Sequence, residues 1–185
     1  DAFAHAHPSR GGDLNVYGDA FADFLAAYSP ARDLPYLPDV ARLEWALDEA
    51  QRAADAPGNP QDVVTALAAV SPADFATLRC VLDPSCRLLR SSHPVLRIWR
   101  AHQPEGEALE GITLDGADDR LLVRRESNGV TVERVAPGEH AWLTALQAQA
   151  TLPATLAAAR GEDPAFDLAA ALQQRVADRT LVALA

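Results

Sequence analysis

The sequence contains no lysine: all 16 of its basic residues are arginine, set against 26 acidic residues for a net charge of −10. A phosphate-binding surface works by releasing counterions to clustered Lys and Arg. The acidic balance therefore argues against a broad nucleic-acid face and leaves only a local one open. Absence of lysine beside abundant alanine is also characteristic of a GC-rich coding sequence. Cysteine is nearly absent. Cys80 and Cys86 are too few for a disulfide scaffold. They flank Asp83-Pro84, which reads as a turn, so they could lie opposite each other in a hairpin. That leaves a disulfide open, although reduced structural thiols in a cytoplasmic protein are the expectation. Without a nearby histidine pair they make a weak metal signal.

Arg, Asp or Glu interrupts every apolar run before it reaches membrane-spanning length. No signal-peptide pattern is visible. Asp1 is not a natural start, so a further N-terminal region is expected. Also missing are a Gly-rich phosphate loop, a Gly-x-Ser-x-Gly elbow and a metalloprotease helix. The commonest hydrolytic and nucleotide-dependent chemistries therefore have no sequence support.

The remaining features suit one or two globular domains. The chain has 185 residues, long enough to bury a core, and hydrophobic and charged fractions of 49% and 23% are those of an ordinary soluble protein. Leu14, Tyr17, Phe21, Phe24, Leu25 and Tyr28 recur at helical spacing, predicting a helix over 13–28 capped by Asp13 and ended by Ser29-Pro30. A second helix is predicted from Pro38 to Ala54, carrying Val40, Leu43, Trp45 and Leu47. Asn59-Pro60 and Ser71-Pro72 are cap-then-proline starts for short helices at 60–69 and 72–77. Leu78–Leu82 and Cys86–Leu89 read as two strands about Asp83-Pro84. Pro94 opens an amphipathic helix over Val95–His102. The polar, turn-rich stretch at 103–107 marks a boundary between a helical domain, 1–104, and a second module, 105–185.

That module begins with an expected strand at Leu109–Leu114. Residues 120–126 and 130–135 then form a hairpin about Asn128-Gly129, since type I′ turns need φ > 0 at both central residues. Pro137, Thr151 and Asp163-Pro164 open three helices, and Leu181-Val182-Ala183-Leu184 reads as a returning strand. The fold class is thus mostly α with an α+β C-terminal module: a helical N-terminal part, then a winged-helix-like hairpin plus three-helix unit. Such modules bind a nucleic acid or a peptide.

Four segments carry a resemblance to a known family. Leu34-Pro35-Tyr36-Leu37-Pro38-Asp39-Val40-Ala41-Arg42-Leu43-Glu44-Trp45-Ala46 is similar to the signature of the HvfC-like proteins, often labelled as DNA-binding domain proteins. His7-Pro8-Ser9 with Tyr17-Gly18 and Phe21 agrees, as does Asp83-Pro84-Ser85 through His93-Pro94-Val95 with Ile98-Trp99-Arg100-Ala101-His102. Phe166-Asp167-Leu168-Ala169-Ala170-Ala171-Leu172 completes the set. The resemblance spans nearly the whole chain. The family normally carries a further upstream helical region, the part for which DNA binding was proposed. The resemblance implies a bacterial accessory subunit encoded beside a multinuclear non-haem iron enzyme that oxidises cysteines in ribosomally made peptides. The methanobactin pathway has a comparable pair, whose smaller member helps hold the leader peptide. The tail, with Val135-Ala136-Pro137, Trp142, Thr151-Leu152 and Val176-Ala177-Asp178-Arg179-Thr180-Leu181-Val182, also resembles in pattern a PqqD-type peptide-recognition element.

On this reading a precursor peptide adds a strand to an exposed sheet edge, main-chain hydrogen bonds giving affinity and side-chain pockets specificity. Leu122, Arg124, Val132, Leu172 and Val176 are the expected lining; each is equally a core candidate. Arg87, Arg90, His93, Arg97 and Arg100 form an arginine-rich stretch. It reads either as a docking surface for an acidic partner, through bidentate guanidinium–carboxylate pairs, or as local salt bridging. Asp39, Arg42, Glu44 and Trp45 carry the family signature, with Arg42 expected to pin its helix through Asp39 or Glu44 and Trp45 to sit in the core. No catalytic residue and no metal ligand is assigned. His5 and His7 are too closely spaced for a convincing pair, and His102 and His140 lack evident partners. Catalysis by Cys80 or Cys86 would need a base such as His93. The chain is therefore expected to hold no cofactor, the iron belonging to its partner. The rivals are a DNA-binding regulator, which would need a basic recognition helix where 164–177 offers only Arg175, and a scaffold without peptide specificity.

Overall fold

The computed structural model describes residues 2–9, 11–12, 16–56, 58–71, 73–104, 106, 111, 113–114 and 116–185. Among them are eight α-helices: α1 (Ala2–Ala6), α2 (Phe21–Ala27), α3 (Leu37–Arg52), α4 (Pro60–Ala69), α5 (Val95–Ala101), α6 (Pro137–Gln147), α7 (Leu152–Glu162) and α8 (Leu168–Ala177). Five strands accompany them: β1 (Cys80–Leu82), β2 (Arg87–Ser91), β3 (Asp119–Glu126), β4 (Gly129–Arg134) and β5 (Leu181–Leu184). The fold is α+β, with small antiparallel sheets. The chain divides into two compact units, 1–48 with 89–119, and 49–88 with 120–185. Residues 49–88 thus go with the C-terminal segment, and the division is not a single cut at 104/105. No helix among the described residues is long and apolar enough to cross a membrane.

The first unit is built of short helices held by side-chain pairs. Phe3 meets Phe21 and Phe24 edge-on, with ring centroids 5.1 and 5.4 Å away, and Tyr28 stacks on Phe24. Helix α2 starts at Phe21, well after the expected position, while Asp13 and Leu14 lie outside the described residues. Asp39, in the first turn of α3, accepts a 2.7 Å hydrogen bond from Arg42 and a 2.6 Å one from the Ser91 hydroxyl. Arg42 also reaches Asp23, at 2.9 Å, so it ties α3 to α2. Pro94 precedes α5 and supplies no side-chain cap. The buried carboxylate of Asp119, 23 residues on, accepts the Leu96 N–H at 3.0 Å instead. A carboxylate at a helix N-terminus satisfies an orphan donor and complements the helix dipole.

The second unit holds the larger core. Cys80, Leu82, Cys86, Leu122, Trp142, Leu143, Leu146, Leu152, Phe166, Val176 and Leu181 are buried together. Helix α6 packs on α7, and β1 pairs antiparallel with β5. Gly138 explains how closely α6 and the end of α7 approach, because a Cβ there would sit 2.7 Å from that of Asp163. Asn59 caps α4 as expected, its side chain accepting from the Gln61 N–H. Helix α8 begins later than expected. Asp163 instead accepts the Ala165 N–H and forms a turn that buries Phe166 against Trp142, and Asp167 caps the helix through the N–H groups of Ala169 and Ala170. Pro72 lies outside the described residues, and the helix expected over 72–77 is reduced to a short 3-10 turn at Asp74–Ala76.

Three expectations about strands need correction. The segments either side of Asp83-Pro84 are both strands but do not pair with each other. β1 joins β5 in one sheet, and β2 lies in another with the order β2-β3-β4. Asp83 holds the intervening turn closed by accepting from the N–H and hydroxyl of Ser85, and the buried Ser85 hydroxyl in turn accepts the Arg125 N–H of β3. Side-chain bonds thus take the place of a hairpin ladder. The β3–β4 hairpin exists, but Glu126 faces Gly129 in its register, which puts Ser127-Asn128 in the turn. Only Gly129 of these takes positive φ, at 133°, so the turn is not the type I′ turn expected over Asn128-Gly129. Of the strand expected at Leu109–Leu114, Leu109, Glu110 and Ile112 lie outside the described residues, and Thr113 and Leu114 are not in a strand.

Arg175 of α8 is 1% exposed and sits among carboxylates from other elements. It donates to Glu139 of α6 at 2.7 Å, to Glu133 of β4 at 2.5 Å and to Asp178 just past α8 at 2.7 Å. Removing one member of a buried ionic group strands the charges left behind. Arg175→Ala is therefore expected to lower unfolding free energy by about 3–5 kcal/mol, measured by urea denaturation followed through tryptophan fluorescence.

Candidate functional site

Two surfaces of the second unit could receive a ligand. One is the outer side of β4. In the order β2-β3-β4, β3 is flanked on both sides and β4 ends the sheet. A terminal strand presents a row of backbone donors and acceptors to any approaching chain. The other is an open trough of about 970 Å³ on α4, α8 and the 3-10 turn, lined by Val64, Leu67, Val70, Phe75, Leu172 and Val176 among others. Val64 is 47% and Phe75 37% exposed, unusual for large apolar side chains so close together.

The five residues expected to line a peptide surface do not share one. Leu122 is fully buried in the core of the second unit. Arg124, also on the central strand β3, is engaged with Glu126 at 2.6 Å and donates to the Asp178 carbonyl at 3.1 Å. Neither stands on an outer strand. Val132 is on β4, but it pairs with Val123, and alternation puts it on the sheet face opposite Leu122 and Arg124. Leu172 and Val176 are brought together in the α4–α8 trough. Sequence reasoning missed the other wall of that trough. A signal was available: Val63 and Val64 are adjacent in a helix and point about 100° apart, so both could not enter one core. Val63 is buried and Val64 is not.

The arginine-rich stretch divides between the two units. Arg87, in the second, pairs with Glu49 at 2.9 Å and donates to the carbonyls of Pro84 and Cys86. In the first, Arg90 pairs with Asp118 at 3.1 Å, and Arg97 donates to the Gly111 carbonyl at 3.2 Å. Arg100 is exposed on α5. His93 is mostly buried, its Nδ1 3.5 Å from the Asp39 carboxylate. Local bonding thus engages Arg87, Arg90 and Arg97.

Electrostatics set the character of the rest. Burial alone would lower the pKa of the Arg175 guanidinium, but hydrogen bonding and charge from Glu139, then Glu133, outweigh it and hold the pKa above its ordinary value. Arg124 belongs to the same network, with Glu133 and Asp178 3.7 and 3.8 Å away. Arg125 closes the C-terminus of α3, donating to the carbonyls of Gln51, Ala53 and Ala54 and to the Asp55 carboxylate. A cation there offsets unpaired carbonyls and the helix dipole. Next to it a polar cavity of about 590 Å³ is lined by Asp55, Asp83, Arg124, Arg125, Asp178 and Arg179 among others, with both signs of charge interleaved.

Among the described residues no cluster of three or more His, Cys, Asp or Glu is placed to hold a metal ion. Cys80 and Cys86 are both unpaired and buried. Burial pushes the Cys80 thiol up to about 11, and burial with the nearby Asp83 charge pushes Cys86 up to about 12. A thiolate nucleophile needs the opposite environment. No protein-family model and no curated protein matches this chain.

Both thiols are expected to resist Ellman's reagent in the native protein at pH 8 and to react once it is unfolded. Because each folded pKa lies above the ordinary value of 9.0, the proton linkage favours folding fully below about pH 9 and is lost as pH rises toward 11. Midpoints of urea unfolding measured from about pH 8 to 10.5 should fall across that window, and a Cys80→Ser/Cys86→Ser variant should show a shallower decline.

Proposed function

We propose that this chain is a non-catalytic partner subunit that binds a ribosomally made precursor peptide and docks onto an iron-dependent peptide-modifying oxidative enzyme. The observation that carries the peptide reading is the position of β4 at the outer side of its sheet. β4 runs six residues, Gly129–Arg134, long enough for an extended segment to add several main-chain hydrogen bonds along it. The partner enzyme and its iron enter through the resemblance of the Leu34–Ala46, Asp83–His102 and Phe166–Leu172 segments to HvfC-like proteins. The buried, protonated thiols support a subunit that presents a substrate's cysteines to another protein's metal rather than one that reacts through its own. A cytoplasmic setting is part of the same proposal and suits free thiols.

The rival reading, a DNA-binding regulator, gains no support from α8. A recognition helix in a DNA groove needs exposed cations and base-reading side chains. α8 has one basic residue, Arg175, and it is buried among carboxylates.

The experiment is affinity purification of the protein from its native host, in salt high enough to strip non-specific DNA contacts, followed by mass spectrometry. Recovery of an iron-containing enzyme together with a short cysteine-containing peptide is the expected outcome. Recovery of neither, with salt-sensitive binding to a defined DNA site, would overturn the proposal. A finer test uses the central positions of β4, Thr131 and Val132, whose N–H groups alternate in direction. Thr131→Pro and Val132→Pro should differ: the one whose N–H points outward should lose about tenfold or more in peptide affinity while the fold survives.

A further inference from the structure

The trough on α4 and α8 is a second surface, and its chemistry differs from that of the β4 edge. None of its lining residues is charged. Its borders are acidic. Residues 56–78 contain Asp62 and Asp74 and no basic residue, and residues 164–174, which lead into and form the α8 wall, contain Asp167 and no basic residue. Asp62, Asp74 and Asp167 are exposed. Arg79, just beyond the first stretch, is turned to the Gln149 carbonyl. Arg175 is engaged by its carboxylates, and Arg179 lines the polar cavity and a small pocket at the Pro60 end, whose linings include neither Asp62 nor Asp74. An apolar floor with an anionic border complements an apolar ligand flanked by cations.

The walls also decide the ligand's backbone. The lining comes from α4, α8, the start of α7 and the segment around the 3-10 turn, and it includes no residue of a β-strand. An extended segment laid there would find no ladder for its N–H and C=O groups. A helix satisfies its own backbone and needs only apolar anchors at helical spacing. We propose that this trough docks a cationic amphipathic helix of a partner protein, independently of strand addition at β4. The helix would place two or three large apolar side chains between α4 and α8 and Lys or Arg beside Asp62 and Asp74.

The test titrates the full chain into a fluorescein-labelled amphipathic peptide of about 14 residues, roughly four helical turns, built from Leu, Ala and Lys. A counterpart carries Glu in place of Lys. The Lys peptide is expected to bind about tenfold or more tighter than the Glu peptide, with anisotropy falling as salt rises. Val64→Gln/Phe75→Gln changes two exposed side chains and so spares the fold. It should weaken the Lys peptide about tenfold, and Asp62→Asn/Asp74→Asn should reduce both its affinity and its salt dependence. Equal binding of the two peptides, or unchanged binding to Val64→Gln/Phe75→Gln, overturns the proposal. Loss of Lys-peptide binding in the β4 proline variants alone also overturns it, and leaves strand addition standing. Sedimentation showing a dimer that Val64→Gln/Phe75→Gln dissolves would assign the trough to a second copy of this chain and overturn the partner helix.

Discussion

The ionic group around Arg175 is the constraint on which the second unit depends. One guanidinium on α8 reaches carboxylates on α6, on β4 and just beyond its own helix. Two helices and a strand are thereby held in one arrangement. A charge so completely removed from water is tolerable only when its donors are satisfied. Here Nε and Nη1 meet three acids, and Arg124 shares Glu133 and Asp178 from the neighbouring strand. The group also gives direction. It faces one side of α8 inward and leaves Ala169, Leu172, Gln173 and Ala177 on the side that borders the trough.

A second polar contact governs the sheets. Had Cys80–Leu82 and Arg87–Ser91 paired through a tight turn, both would belong to one sheet. The Asp83–Ser85 turn, tied to the Arg125 N–H, instead sends them to different sheets, and β1 receives the C-terminal strand β5. β4 is the last strand of its sheet, and Leu122 and Arg124 belong to the core and the ionic network. The strand edge and the apolar trough are thus two surfaces with different demands. One offers main-chain hydrogen bonds and suits an extended chain. The other offers none and suits a ligand that brings its own.

Much of the fold was legible along the chain. Asn59-Pro60 and Pro137 opened helices where expected, and Leu181–Leu184 returned as a strand. The hairpin was legible as well, although its turn sits one residue earlier than Asn128-Gly129. A one-residue slip in register would move every side chain to the other face, and the burial of Leu122 with the Glu133–Arg175 bond settles which register holds. The start of α8 was misread for a comparable reason. Asp163-Pro164 and Asp167 both carry cap chemistry, and burial of Phe166 against Trp142 assigns the first to a turn. The candidate site was less legible. Leu172 and Val176 were found, their opposite wall on α4 was not, and of the β3 residues assigned to the surface Leu122 is interior and Arg124 is engaged in the ionic network.

By itself the sequence determined the features that rest on neighbouring residues: caps and prolines that start helices, the period of apolar positions, an acidic balance without lysine, and the α+β class. Tertiary structure alone decided which strand lies outermost, which of two adjacent apolar residues is buried, and that the single arginine of the last helix is interior. Those outcomes depend on partners distant in sequence, such as Glu133 and Glu139 for Arg175. Local propensity carries no information about partners that only folding brings within hydrogen-bonding distance.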